Sequence, residues 1–439
     1  MNLPSYITVL LDRLAECGFA GYPVGGCVRD TLLGKQPGDY DLTTNATPQE
    51  MLAVFSDFRC IETGLKHGTL TVVSEGNNVE ITAFRTDGEY KDNRHPTEVT
   101  FTRNLSDDLS RRDFTVNAMA YGREEGIVDL FRGKEDLQNK VIRCVGAPDR
   151  RFNEDALRIM RALRFAATLD FEIEKDTAES IHRNVKLLEN ISVERIFVEL
   201  KKLLCGVGAQ RILLQFPDVF CCILPEMEGI VGLVQHNPHH LYDVYTHTAK
   251  AVSLCEADPV LRLAALFHDF GKADTFSFDE NGIGHFYNHR EFSVQKADAA
   301  LRRLKSDNAT RRTVLFLVDW HDRLFGDFTE KTVKRLLRTQ TAEELLLLAK
   351  LMRADSKATG TRLNEPCESA DRLEEIVLRL QAEKPCLTVT DLAVNGHDLL
   401  ALGYEPKTIG NTLKHLLEAV TDGTLKNEKE TLLKELRNG

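Results

Sequence analysis

The sequence predicts an α+β protein, with a small head built on a mixed sheet followed by a long, all-helical body. Three observations lead to that class. Residues 22–142 alternate short β-rich runs with helical stretches. Within them, Thr69–Val73 and Val79–Phe84 flank Glu75-Gly76-Asn77-Asn78, the pattern of a hairpin. From Asn153 onward the apolar residues recur with helical spacing almost without interruption.

Taken in order, Met1 to Gly21 reads as an amphipathic helix with Ile7, Leu10, Leu11 and Leu14 on its apolar face and no signal-peptide core. A glycine turn, Gly25-Gly26-Cys27-Val28-Arg29-Asp30, precedes an extended segment bearing Asp39 and Asp41. Asp87 to Pro96 is polar, charged and aperiodic, which predicts a mobile loop. Glu154 to Ala167 predicts one helix, with Ile159, Met160, Leu163 and Ala166 on one face and Asp155, Arg158, Arg161 and Arg164 on the opposite half. Residues 236–356 hold eight of the 13 histidines. Residues 360–439 return to helices around a Gly403-Tyr404-Glu405-Pro406-Lys407 turn, which leads into a helix start able to hold a phosphate. No apolar run approaches the roughly 20 residues that span a bilayer, so no membrane association is expected.

At 439 residues the chain accommodates two to four domains. Its ten cysteines show no C-x-x-C pair, and Cys221 and Cys222 are adjacent; a reducing, cytoplasmic setting is expected. The net charge of −11 argues mildly against a nucleic-acid binder. The average conceals a local basic patch: Lys140, Arg143, Arg150, Arg151, Arg158, Arg161 and Arg164 lie within 26 residues that hold only Asp149, Glu154 and Asp155 as acids. Exposed charges are screened beyond about 8–10 Å at physiological salt, so the local patch outweighs the sum.

The chemistry begins with Asp39 and Asp41. In an extended segment they face the same way, presenting paired hard oxygen ligands for Mg2+. Gly25 and Gly26 let backbone N–H groups approach a polyphosphate, and Arg29 adds a cationic fork. Together these features suggest metal-assisted phosphoryl or nucleotidyl transfer. Glu80, alternating with Val79 and Ile81, is a candidate third metal ligand. Arg111 and Arg112 suit phosphate contacts, with a structural salt bridge expected for at least one of them. Asp113 and Asn117 are candidates for ribose or triphosphate contacts. An Asp acceptor beside an Arg donor matches the pairing edge of cytosine or adenine, each of which offers an amine beside a ring nitrogen; uracil and guanine offer the reverse. Asp155 with the three arginines on its half of the helix offers such an acceptor and donors, with Arg161 and Arg164 expected to hold phosphate or position the pair.

These residues resemble the motifs of class II tRNA nucleotidyltransferases, the CCA-adding enzymes and bacterial poly(A) polymerases of the polymerase β superfamily. The opening motif is Gly25-Gly26-x-x-Arg29-Asp30-x-Leu32-Leu33-Gly34 with Asp39-Tyr40-Asp41-Leu42-Thr43-Thr44. Arg111 to Ala118, Asp129-Leu130-Phe131-Arg132-Gly133, Glu154-Asp155-Ala156-Leu157-Arg158 and Ser192-Val193-Glu194-Arg195-Ile196 follow in the family's order, although the family often has Pro where Leu130 stands. The resemblance implies a polymerase β-like head, template-independent addition or repair of the 3′ CCA of tRNA from CTP and ATP, and Mg2+ at Asp39 and Asp41. It also implies that Asp155 and Arg158 act as a protein template and that the 87–96 loop favours full CCA addition. The expected divisions are a head (1–142), a neck with the nucleotide-reading helix (143–235), a histidine-rich domain (236–356) and a tRNA-binding tail (357–439).

The histidine set resembles an HD domain, a helical metallophosphohydrolase module. Its expected ligands are His247, His268, Asp269 and Asp355, with His289 and His321 as additions and His285 nearby; a divalent transition metal would suit them. Three alternatives remain. A poly(A) polymerase is disfavoured, because Gly64-Leu65-Lys66-His67-Gly68-Thr69 lacks the basic signature typical of those relatives. The others are an enzyme adding only CC or only A, and an HD phosphohydrolase with an RNA-binding head. Nothing in the sequence sets the oligomeric state.

Overall fold

The computed structural model describes residues 1–88, 98–238, 240–323, 328–360 and 368–438; the expected loop at 87–96 therefore falls almost wholly outside the described residues. The chain forms two compact units, Met1–Pro225 with Arg303–Lys305, and Glu226–Arg302 with Ser306–Gly439.

The first unit opens with helix α1 (Ser5–Glu16), which buries Ile7, Leu10, Leu11 and Leu14 as the periodicity predicted. Strand β1 (Gly21–Val24) runs into α2 (Gly26–Leu32), and β2 (Asp41–Thr44) pairs antiparallel with β1. After α3 (Pro48–Val54) come β3 (Arg59–Ile61), β4 (Thr69–Ser74) and β5 (Asn77–Ala83). The β4–β5 hairpin turns at Glu75-Gly76, both with positive φ (49° and 80°), the tight turn that matches strand twist. A separate two-stranded pair, β6 (Arg85–Asp87) and β7 (Val99–Phe101), precedes α4 (Leu105–Ser110). Strands β8 (Met119–Gly122) and β9 (Gly126–Asp129) complete a seven-stranded sheet ordered β3-β4-β5-β2-β1-β8-β9. Only β2 and β5 are paired in parallel within it, so the sheet is mixed, as expected.

Helices α5 (Gly133–Gln138), α6 (Pro148–Glu154), α7 (Leu157–Leu169), α8 (Lys175–Asn184) and α9 (Val193–Leu204) follow. Here one expectation fails: Glu154 to Ala167 is not a single helix. Asp155 is extended (φ −139°, ψ 103°), and its carboxylate accepts the backbone N–H of Leu157 at 3.1 Å. Asp favours such local bonds to the backbone over a helix interior, so it ends α6 and starts α7. The body is also not wholly helical, since Glu172–Ile173 pairs with Val141–Ile142, and Phe276–Phe278 with Gly284–Phe286.

The second unit is otherwise helical, with Val244–Leu254, Pro259–Phe267, His289–Arg303, Asn308–Trp320 and Ala342–Ala358 enclosing the histidines. Helices Gly396–Ala401, Pro406–Thr421 and Lys429–Asn438 form a smaller core around Leu399, Leu413, Leu417 and Leu432. Among the described residues no helix is long and apolar enough to cross a membrane.

Leu42 and Ile81 are fully buried neighbours of Asp41 and Glu80 on the central strands. Ile81→Ala is expected to cost about 2–5 kcal/mol of stability, read from the denaturant midpoint. A loss below about 1 kcal/mol would contradict this packing.

Candidate functional site

The first site sits on the central strands of the head. Asp39 lies in the loop two residues before Asp41, the first residue of β2. The parallel register sets Asp41 opposite Glu80, so carboxylates from two strands and the preceding loop converge. All three residues reach solvent. Protein nevertheless surrounds the Asp41 carboxyl on most sides. This loss of water, followed by the charges of Asp39 and Glu80, raises it to about 6, with Arg112 pulling the other way. An all-oxygen set whose members repel one another fits a hard divalent cation.

Beside it, Gly25 caps the start of α2 with φ 72°, and a Cβ there would stand 3.3 Å from Arg112 Nη1. Arg29 is buried and donates to Asp30 (2.8 Å) and Asn117 Oδ1 (2.7 Å). Asn117 in turn donates to Asp113 Oδ1 at 3.2 Å, and Arg161 donates twice to Asp113 Oδ2. Burial alone would raise Asp113, but the Arg161 charge and hydrogen bonds outweigh it and hold it at about 2. The expected nucleotide contacts Arg29, Asp113, Asn117 and Arg161 thus form one connected chain of side chains.

The other expected arginines are placed differently. Arg111 donates from Nε and Nη2 to Asp108 at 2.9 and 2.6 Å, and Arg112 donates from Nη2 to the other Asp108 oxygen at 3.2 Å. Arg158 was expected on an exposed face one turn from Asp155. Instead it is buried and donates to Glu154 (2.8 Å) and to the carbonyls of Arg151 (3.3 Å) and Arg111 (2.9 Å). Asp155, on the break between α6 and α7, faces Arg195 Nη2 at 3.4 Å. Arg164 is tied to buried Glu199 and stacks over the Phe165 ring at 3.7 Å, with the guanidiniums of Arg29 and Arg161 at 5.1 and 5.4 Å from the same ring.

Sequence reasoning missed Asp108, Glu154, Phe165 and Glu199. Asp108 had a legible signal, because it stands three and four residues before Arg111 and Arg112, the spacing at which helical side chains meet. Glu199 had none, since its partner lies 35 residues away.

The second site lies wholly in the second unit. His247, His268 and Asp355 bring donor atoms within 4.8 Å of one another, as do Asp269, His289 and His321. The two sets adjoin: His268 Nε2 is 3.2 Å from Asp269 Oδ2, and His289 Nε2 is 3.5 Å from Asp269 Oδ1. Mixed imidazole and carboxylate donors suit a transition metal more than Mg2+. Asp269, His289, His321 and Asp355 face a cavity of about 280 Å³ with Lys272 and His240. His285 lines the cavity too, but its Nε2 meets Asp279 at 3.2 Å, which sets it apart from the cluster.

Comparison with known proteins places this geometry in a family. Residues 21–143 match the poly A polymerase head domain, 170–227 the probable RNA and SrmB-binding site of polymerase A, and 279–436 a putative tRNA nucleotidyltransferase domain 2. The CCA-adding enzyme of Streptococcus suis (strain 05ZYH33) is 52% identical over 98% of this chain and 96% of its own length. That of Streptococcus thermophilus (strain CNRZ 1066) is 33% identical over 97% and 94%. The structure of the Bacillus stearothermophilus CCA-adding enzyme in complex with CTP superposes with a TM-score of 0.76 at 30% identity, covering 100% of this chain and 98% of the other. Likeness of this degree along nearly the whole length of both chains means that the protein belongs to the family of CCA-adding enzymes.

Proposed function

We propose that the chain adds or repairs the 3′-terminal CCA of tRNA without a nucleic-acid template, drawing on CTP and ATP. The observation that carries this reading is the register placing Asp41 opposite Glu80 and beside Asp39, in a chain so closely matched by CCA-adding enzymes. Nucleotidyltransferases of this kind use divalent metal. Asp39, Asp41 and Glu80 would hold Mg2+, which would supply charge neutralisation at the reacting phosphate and activation of the primer 3′-hydroxyl. The chain itself positions the reactants, which is most of what phosphoryl-type transfer asks of a protein. Gly25 and Gly26 admit the triphosphate, Arg112 faces it from beside Asp41, and Arg29, Asp113 and Asn117 hold the nucleotide. Asp155 and Arg158 read the base, while Arg161 and Arg164 act through Asp113 and Glu199. The head (1–142), neck (143–235), histidine-rich segment (236–356) and tRNA-binding tail (357–439) divide the work. We place the enzyme in the cytoplasm, where its tRNA substrate is and where free thiols persist.

Asp41→Ala is expected to abolish nucleotide incorporation while tRNA affinity, which rests on phosphate contacts elsewhere, changes little. Appreciable turnover of that variant with Mg2+ would remove Asp41 from the catalytic set.

Base selection is tested at Asp155. Replacing it with Ala removes one hydrogen bond to C or A, a loss of about 1–3 kcal/mol, or roughly tenfold to a hundredfold in preference. The check is incorporation of each NTP onto tRNA ending at the discriminator base and at CC. An undiminished preference for C and A over U and G would leave Asp155 as a helix start and a partner of Arg195.

A second reading concerns the second unit, where six His and Asp side chains form two adjoining donor triplets beside an open cavity. We infer a metal-dependent phosphohydrolase of the HD type at His247, His268, Asp269 and Asp355, completed by His289 and His321. Combining His268→Ala with Asp269→Ala is expected to remove metal-dependent phosphoesterase activity and to spare CCA addition. Equal loss of both activities in a folded variant would make the cluster structural.

A further inference from the structure

Asp108 is fully buried on α4, in the head; its two oxygens accept three hydrogen bonds from guanidiniums, and the Thr43 hydroxyl, shared with the Thr82 carbonyl, stands beside it. Oδ1 takes both Nε and Nη2 of Arg111, a forked contact that commits one edge of that guanidinium. Oδ2 takes only Nη2 of Arg112, with the Thr43 hydroxyl at 3.2 Å, whose one proton is shared with the Thr82 carbonyl at 3.0 Å. Thr43 lies two residues after Asp41 on β2, so the carboxylate is referenced to the strand that carries the metal-binding aspartates. The consequence for the two arginines is unequal. The Arg111 carbonyl is a further fixed point, accepting from Arg158. Arg112 keeps Nε buried without a hydrogen-bond partner and aims Nη1 at the Gly25 turn. Nη1 at the glycine turn is the part of this guanidinium placed to meet a polyphosphate.

We propose that Asp108 is a positioning residue for nucleotidyl transfer: it anchors Arg111 and holds Arg112 so that the unused donors of Arg112 meet the triphosphate of the incoming CTP or ATP beside Asp41. Asp108 touches neither substrate nor metal and acts through Arg112. One buried carboxylate serves two guanidiniums, so Asp108 places both without neutralising both, and the Arg112 charge also reaches Asp41. The proposal rests on the nucleotidyltransferase reading of Asp39 and Asp41.

The test is a double-mutant cycle on the full chain, using CTP and a tRNA lacking CCA, with KM and kcat measured separately. Asp108→Asn is expected to raise the KM for CTP roughly tenfold, with a smaller effect on kcat and unchanged tRNA affinity. In the Arg112→Ala background the same substitution is expected to add almost nothing. Thr43→Val removes the hydroxyl shared between Asp108 and the Thr82 carbonyl and leaves the charges intact. It is expected to raise KM by a smaller factor, again only while Arg112 is present, and it carries the test if Asp108→Asn fails to fold. A KM unchanged by the folded variants, or a rise of the same factor with and without Arg112, overturns the proposal. Turnover in Asp41→Ala would instead overturn the reading of the site itself, so the two failures are distinguishable.

Discussion

The Asp113 carboxylate is the tie on which the arrangement of the first unit depends. It accepts the backbone N–H of Phe114 at 2.8 Å and the Asn117 amide on one oxygen, and the Arg161 fork on the other. Through Asn117 it reaches Arg29 on α2, and through Arg161 it reaches α7. One buried anion thus fixes the glycine turn, the segment after α4 and the neck helix relative to one another. A buried ion pair adds little net stability compared with an apolar replacement, yet removing one partner leaves the other charge stranded at a cost of about 3–5 kcal/mol. Its contribution is therefore placement: it decides where Arg29 and Arg161 stand more than it decides whether the unit folds.

The same economy of charge recurs around it. Asp108 serves Arg111 and Arg112, Glu154 serves Arg150, Arg151 and Arg158, and Glu199 serves Arg164. Guanidiniums gathered this closely repel one another, and each buried carboxylate offsets part of that repulsion. Burial, opposed by the Glu199 charge and reinforced by the nearby Arg161 charge, lowers the pKa of Arg164. The carboxylates show the mirror image at Asp41, crowded by Asp39 and Glu80. The head thus sets the negative charge of Asp39, Asp41 and Glu80 beside a group of arginines, and the arginines are held by carboxylate partners on neighbouring elements.

The second unit solves a different problem with different donors. The clustered side chains come from helix interiors and helix ends: His247 within Val244–Leu254, His268 and His321 just past the ends of their helices, His289 at the start of another and Asp355 near the end of a fifth. Imidazole orientation is fixed from behind, His268 Nδ1 meeting the Ala265 carbonyl at 2.7 Å and His321 Nδ1 the Val318 carbonyl at 2.7 Å. Such backing leaves Nε2 free to face the cluster, the arrangement that metal-binding histidines need.

The sequence by itself determined the local features. The alternation of Asp39, Asp41 and Glu80 with apolar neighbours, the Glu75-Gly76 turn, the apolar stripe of α1 and the ordered motifs were legible because strand and helix periodicities are properties of adjacent residues. Adjacent His268 and Asp269 were legible for the same reason. The tertiary structure decided what each charge is for. Helical periodicity ran through Asp155, whereas the folded chain breaks there, because its carboxylate satisfies the Leu157 N–H. Arg158, Arg161 and Arg164 share one pattern in the sequence. They differ in the fold, because their acceptors lie on Glu154 and two backbone carbonyls, on Asp113 and on Glu199. A guanidinium's role is set by which acceptor reaches it first. For Arg161 that acceptor is 48 residues away, a distance along the chain over which no periodicity carries information and only packing brings the two together.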